Sequence, residues 1–401
     1  MEIKGILSRI YRWEYIWLCL LVALTLVMHF IIIANPPELI LDEQHYVNDA
    51  RNIIEEHETL RPEHPPLAKL FIVAGIKLFG DNPWGWRFFS VIFGTASIVL
   101  FYFLCRRLNM SRTATSIATF LLALENMTFV QASVAMLDVY YFTFMVASFL
   151  LYASRKYIAS GVAVGLSALA KLNGALALPA MIIHWLFTRQ GRSRWFGLTV
   201  LMAPLAFVGL MILFDFAIVQ RFSDLIDPIN RIKTMLSLSS TLTFATVTHP
   251  SLSRPWEWLL SYKPMAYWIT PHYTAAISFS IWALIIPTFA YMVYRAVRGN
   301  EAGLFGAAWF ASTYLFWIPV SIITDRVSYI YYFYPTIGAI CLGLGLGLSQ
   351  LLTIYQERKT GKLKRTILAL FVFYLVVHLA SFVILSPVFP IPYDRLLAII
   401  T

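Results

Sequence analysis

Two adjacent carboxylates, Asp42 and Glu43, stand in the run Asp42-Glu43-Gln44-His45, and His64-Pro65-Pro66 and Lys69 follow shortly after. An apolar stretch of 19 residues, Ile16 to Ala34, precedes them, and most of the remaining chain is apolar. A carboxylate beside the membrane can take the proton of a hydroxyl and make it a better nucleophile. Lysine, arginine and histidine donors can stabilise negative charge that builds on a leaving group. Further charges interrupt apolar runs at Arg87, Glu125, Asp138, Lys171, Asp325 and Arg326. Charge at membrane depth is costly, so each case asks for a reason. Transfer of a sugar from a lipid phosphate fits this inventory, because a phosphate is a weak base and leaves without a general acid. A soluble glycosidase would need a second carboxyl group to protonate its leaving oxygen. Glu43 is then free to orient the acceptor or the sugar hydroxyls. A transporter is the competing class, but it predicts ionisable groups near the membrane midplane, preferably in matching halves. A scaffold explains neither the cations nor the acidic pair.

The elements that must position these groups are helices in lipid. The chain has 401 residues, of which 59% are hydrophobic and 13% are Asp, Glu, Lys or Arg. That balance argues for an all-α polytopic membrane protein rather than two soluble domains. Aromatic residues make up 16% and cluster near the ends of apolar runs, as an interfacial belt would place them. Cys19, Cys105 and Cys341 lie far apart in apolar runs and read as packing residues. The first apolar run lacks a small-residue cleavage site and reads as a retained span rather than a signal peptide. Further spans are expected at 88–105, 113–129, 132–153, 157–170, 173–187, 196–219, 274–294, 302–320, 328–350 and 367–386, which gives about eleven. With a cytoplasmic amino end, 18 of the 31 basic residues fall on that side, against four of the 21 acidic ones. The positive-inside rule then orients a multi-pass plasma-membrane protein with its candidate site and carboxyl end outside. The net charge of +10 records that orientation and gives no support to nucleic-acid binding.

The whole chain, 1–401, reads as one membrane-embedded unit, and its longer connections hold the information. Outer loop 35–87 contains the acidic pair and an apolar run at about 66–79. That run is too short to span, so an interfacial helix is expected there. Outer loop 220–273 begins rich in Ser and Thr and ends rich in Pro and Trp, as a folded cap on the interface would be. The tail from Pro387 to Thr401 is expected to return outside. For Lys171 and Arg87 the structural alternative is snorkelling at a helix end. For Asp138 it is a helix cap, and for Tyr329, Tyr331, Tyr332 and Tyr334 an aromatic belt. His29, His184 and His378 are isolated in spans and show no metal-ligand spacing.

In order along the chain, the motifs Leu41-Asp42-Glu43-Gln44-His45-Tyr46, Glu63-His64-Pro65-Pro66-Leu67-Ala68-Lys69-Leu70, Arg87, Glu125-Asn126-Met127, Met136-Leu137-Asp138, Leu169-Ala170-Lys171-Leu172-Asn173-Gly174, Ser253-Arg254-Pro255-Trp256-Glu257-Trp258 and Tyr331-Tyr332-Phe333-Tyr334-Pro335 resemble the protein O-mannosyltransferases. This family lies within the wider group of membrane glycosyltransferases of GT-C type that use polyprenyl-phosphate sugars. The resemblance implies a GT-C fold with an outward-facing site, and transfer of mannose from a dolichyl- or polyprenyl-phosphate donor to Ser or Thr hydroxyls of a protein, with inversion. Carried over, Asp42 is the acidic residue that activates the acceptor hydroxyl and Glu43 its partner. His64, Lys69, Arg87, Asp138, Lys171 and Arg326 become candidates around the donor phosphate and sugar. His45, Arg254, Trp256, Glu257 and Tyr332 become candidates around the acceptor or the loops. The expected partners are the lipid-linked sugar, the acceptor and membrane lipids. No protein-bound cofactor is expected and no metal site is assigned, although the carboxylates could hold a divalent ion. Two departures separate the chain from eukaryotic members: loop 220–273 is too short for their soluble insert, and the usual Arg after Ser133 is replaced by Val134. A compact prokaryotic or archaeal type fits these departures. A related branch that passes an aminosugar to lipid A leaves other donor sugars, and lipid or glycan acceptors, as the alternative.

Overall fold

The computed structural model describes residues 2–189, 192–221, 226–357 and 360–389, with side chains from Tyr15 onward. The expected course of the tail past residue 389, the side chains of Lys4, Arg9 and Arg12, and residues Arg358 and Lys359 lie outside the described residues.

Helix α1 (Glu2–Ile32) leads into α2 (Glu43–Glu56), and α3 (Leu67–Phe79) occupies the place expected for the interfacial helix. Helix α4 (Pro83–Arg107) starts where Asn82 accepts hydrogen bonds from the backbone of Trp84 and Gly85, with Pro83 at the first helical position. Helix α5 (Arg112–Ala123) is capped by Ser111 and α6 (Asn126–Ser133) by Glu125. Then come α7 (Asp138–Ala153), α8 (Tyr157–Ala170), α9 (Ala177–Phe187) and α10 (Gly197–Val219). Across the second long connection lie α11 (Pro228–Ser240), the short α12 (Glu257–Leu260) and an antiparallel hairpin of β1 (Met265–Trp268) and β2 (Tyr273–Ala275). The chain finishes with α13 (Phe279–Trp282), α14 (Ile285–Val297), α15 (Glu301–Phe310), α16 (Trp317–Thr324), α17 (Tyr334–Glu357) and α18 (Lys362–Leu385).

The expectation of about eleven spans is overturned. Among the described residues, six helices are long and apolar enough to cross a membrane: Tyr15–Ile32, Pro83–Arg107, Arg194–Val219, Glu301–Thr324, Ile330–Glu357 and Lys362–Leu385. A seventh arises if α5 and α6, bent by 54° at their junction, count as one broken span. An apolar run in sequence is not a continuous helix, and here turns and caps divide the runs. The run 132–153 breaks at Val134–Leu137, leaving the 16 residues of α7. The run 157–170 is a helix of 14 residues, about 21 Å at 1.5 Å per residue, short of the roughly 30 Å of hydrocarbon. The run 274–294 opens in strand β2 and the one-turn α13 before α14 begins. Helix α17 is the most enclosed of the six, and α18 and α10 are the most exposed, so they face lipid at the perimeter.

Two close approaches fix the helices that carry the site. A methyl group on Gly165 of α8 would lie 2.8 Å from the Ala206 Cβ of α10, and one on Gly75 of α3 would lie 2.0 Å from the Gly85 carbonyl oxygen of α4. Only glycine lets these backbones meet, the small-residue packing common between helices in lipid. The hairpin is seated on α6: Asn126 Nδ2 donates to the Thr274 and Ala276 carbonyls at 2.7 and 3.0 Å, and Glu125 accepts from Ser278 N at 3.0 Å. Glu125 thus does the work of a cap and a clasp.

Candidate active site

The chain leaves α1 and turns sharply before α2, with Leu41 in the left-handed region at φ 44°. Helix α2 begins at Glu43, so successive side chains diverge by about 100° around its axis. Asp42 and Glu43, neighbours in sequence, therefore have different surroundings.

Glu43 is fully buried against Arg87 of α4 in a bidentate pair, with Nε to Oε1 at 2.9 Å and Nη2 to Oε2 at 2.8 Å. Its carboxylate also accepts from Ile40 N at 3.0 Å and Ala135 N at 2.7 Å. Arg87 donates further to the carbonyls of Ile33, Pro36 and Glu38. Every direction of both groups is spent on protein, and the pair ties α1, α2, α4 and the α6–α7 junction together. Lys69 is also fully buried, 2.8 Å from Asp49 and donating to Thr59 Oγ1 at 2.6 Å and to the Arg61 carbonyl. Arg87 and Lys69, expected near a donor phosphate, are thereby placed in the framework around the site.

Asp42 does the opposite. It caps α2 by position, makes no capping bond, and lines a cavity of about 510 Å³. Around it stand His45, Tyr46, Arg61, Glu63, His64 and Lys171; opposite are Arg326, His249 and the rings of Tyr329, Tyr331 and Tyr332. Among the described residues no hydrogen bond or ion pair engages its carboxylate. Burial raises its pKa above the usual aspartate value, against the opposing pull of Lys171. Lys171 follows the last residue of α8 and contacts Asp138, at the start of α7, through both carboxylate oxygens at 2.9 and 2.8 Å. Its ammonium lies 5.3 and 5.5 Å from the ring centroids of Tyr331 and Tyr332. His64 sits beside Tyr46, with Nε2 3.4 Å from the phenol oxygen. Burial, reinforced by Lys171, Lys69 and Arg326, holds the His64 imidazole well below its ordinary pKa. His64 therefore meets a ligand at neutral pH as a neutral hydrogen-bonding group, with no charge of its own.

The rest of the wall comes from the second long connection and from α16. Leu236, Leu242, Val247, Phe316, Trp317 and Val320 form an apolar side. Leu236, Leu242 and Phe316 also reach the protein surface. The cavity thus has a polar end and an apolar end open to the exterior. Arg326 lines it and donates to the Ser239 carbonyl. Arg254, Trp256 and Glu257 do not line it. Arg254 contacts Asp325 at 2.6 Å and stacks 3.9 Å over Phe244, and Glu257 accepts from Arg254 N at 2.6 Å and pairs with Lys263 at 3.1 Å. These residues brace the loop that carries Val247 and His249. Among the described residues, no three His, Cys, Asp or Glu side chains are grouped to hold a metal ion.

Sequence reasoning missed Arg231. It is buried, contacts Asp215 of α10 at 3.0 Å, and donates to the carbonyls of Pro62 and His64, the latter at 2.9 Å. It fastens α11 to the loop that presents His64. The signal was Asp215, a lone carboxylate inside an apolar run, which requires a cationic partner.

Residues 63–218 match the family profile described as dolichyl-phosphate-mannose-protein mannosyltransferase. That match covers 156 of the 401 residues, and over them the chain is similar to this family. A polyprenol-phosphate-mannose–protein mannosyltransferase of Mycobacterium tuberculosis is 34% identical over 116 residues, 27% of this chain and 22% of that protein. A protein of the same description from Mycolicibacterium smegmatis is 30% identical over 154 residues, 36% of this chain and 30% of its own length. The match thus spans less than a third of these relatives. In fold, the chain is similar to the Saccharomyces cerevisiae protein O-mannosyltransferase Pmt1-Pmt2 complex bound to the sugar donor, with TM-score 0.76, 12% identity, and 94% and 90% of the two chains covered. It is also similar to ArnT from Cupriavidus metallidurans in the apo state, with TM-score 0.55, 19% identity, and 93% and 76% covered. At these identities the likeness concerns the GT-C fold alone.

Proposed function

We propose that the chain transfers mannose from a polyprenyl- or dolichyl-phosphate donor to Ser or Thr hydroxyls of a protein, with inversion at the sugar carbon. The observation that carries this reading is the cavity of about 510 Å³, in which an unengaged carboxylate, Asp42, stands with Lys171 and His64 across from Arg326, and apolar side chains complete the wall. The polar end suits a sugar phosphate and the apolar wall suits the start of an isoprenoid chain. Asp42 takes the proton of the acceptor hydroxyl as its oxygen bonds to the sugar carbon. The bond from that carbon to the phosphate oxygen breaks, and the lipid phosphate departs with the electron pair. Lys171 and Arg326 lie where they can oppose the charge that develops on it, and the neutral His64 supplies a hydrogen bond. The placement of the site on the outer face, with the amino end in the cytoplasm, belongs to the same proposal and rests on the basic loops at the opposite helix ends. The chain's likeness in fold to ArnT bound to undecaprenyl phosphate accords with a polyprenyl-phosphate carrier without fixing the sugar.

The deciding experiment offers purified enzyme in liposomes several polyprenyl-phosphate sugars with a Ser/Thr peptide and identifies the product by mass. Mannosylated peptide is expected; sugar found only on a lipid or glycan would refute the acceptor. The pH profile adds a second check. A general base must be ionised, so the rate should rise with pH through the apparent pKa of Asp42 and then level. That midpoint should lie above the ordinary aspartate value, because burial raises it. Lys171→Met removes a cation from the cavity and should weaken donor binding about tenfold while acceptor KM changes less than about twofold. Equal donor affinity in titrations of the two proteins would confine Lys171 to holding Asp138.

A further inference from the structure

At the other end of the same helices lies a second cavity, of about 260 Å³, that the transfer reaction does not use. Asp138 and Tyr152 mark the two ends of α7, about 21 Å apart at 1.5 Å per residue, and only Tyr152 lines this cavity. Arg107 and Arg155 stand on its rim with Asn109, Tyr157 and Ser193. Glu301 is the only carboxylate among its lining residues, and it is already engaged: its Oε2 lies 3.1 Å from His184 Nε2 and accepts from Thr188 Oγ1 at 2.8 Å. His184 is in turn 2.9 Å from the Tyr152 hydroxyl. Arg107 donates to Ser154 Oγ at 3.2 Å, and among the described residues neither Arg107 nor Arg155 has a carboxylate partner. Two guanidinium groups are therefore left over at the mouth of a polar hollow, the arrangement that recognises phosphoryl oxygens. Ile158, Leu186 and Phe187, adjacent in sequence to lining residues, and Trp195, two positions from Ser193, are all exposed. An apolar collar of this kind suits acyl chains and has no use for a soluble ion.

We propose that this cavity binds the phosphodiester headgroup of an anionic phospholipid. The phosphate lies between Arg107 and Arg155, the glycerol hydroxyls meet Asn109 and Ser193, and the acyl chains run over the collar. The test is native mass spectrometry of the full-length protein released from nanodiscs of phosphatidylglycerol or phosphatidylcholine. The expected result is a retained phosphatidylglycerol that Arg107→Gln/Arg155→Gln releases about tenfold more readily, with an unchanged melting temperature in phosphatidylcholine. Should the double variant fold poorly, Arg155→Gln alone, at an exposed position, reads the same quantity. Equal retention of both lipids, or undiminished phosphatidylglycerol on the variants, overturns the proposal. So does binding of inorganic phosphate at millimolar concentration without any lipid preference.

Discussion

Asp42→Asn should leave a folded, donor-binding protein whose turnover falls by at least about a thousandfold. Loss of a positioned general base costs on the order of 10² to 10⁴ in rate. The upper part of that range fits here, because Glu63, the only other carboxylate among the cavity's lining residues, is 3.6 Å from Arg61, and Asp138, outside that lining, is held by Lys171. The substitution is nearly isosteric, and the Asp42 side chain makes no capping bond, so the melting temperature should move little. Donor affinity should stay within about twofold, since the asparagine carries no charge to repel or attract phosphate. The residual rate should also lose the rise with pH seen in the parent enzyme. Turnover that is unchanged at matched protein concentration would remove Asp42 from the mechanism.

Arg87→Met should damage the protein before it damages the chemistry. Removing the guanidinium leaves the Glu43 carboxylate fully buried with only the two backbone donors of Ile40 and Ala135, and strips three carbonyls of a donor. Breaking a buried pair from one side costs about 3–5 kcal/mol. The expected observation is a large fall in melting temperature and in yield of monodisperse protein. Arg87→Met/Glu43→Leu should recover part of the loss, because the stranded charge is gone. A well-folded Arg87→Met protein with lost donor affinity would instead return Arg87 to the phosphate.

The contrast between these two neighbours shows where reading the sequence stopped. Adjacent carboxylates after an apolar run announce a site, but which one faces the ligand depends on the residue at which α2 begins and on the left-handed Leu41 before it. Likewise Lys69 and Arg87 look available in sequence, because Asp49 and Glu43 meet them only through tertiary packing. Lys171 and Asp138 were legible as costly charges at helix ends, and the fold pairs them as that cost demands. The span count failed for a related reason: hydropathy measures composition along the chain and is blind to the break at Val134–Leu137. The role of α11 was hidden because a Ser-rich amphipathic stretch carries no mark of what it will cover, although Asp215 pointed to a missing partner.

The cavity wall is assembled from distant stretches of chain: Asp42 and His64 near the start, Lys171 at the middle, Leu236 to His249 later, and Trp317 to Tyr332 near the end. During synthesis, then, the ribosome must deliver more than four-fifths of the polypeptide into the bilayer before the cavity wall is complete. Asp42 waits through most of translation beside an unfinished wall. An amino-terminal product cut short ahead of Arg326 would insert, pack its glycine-lined helices, and stay inert.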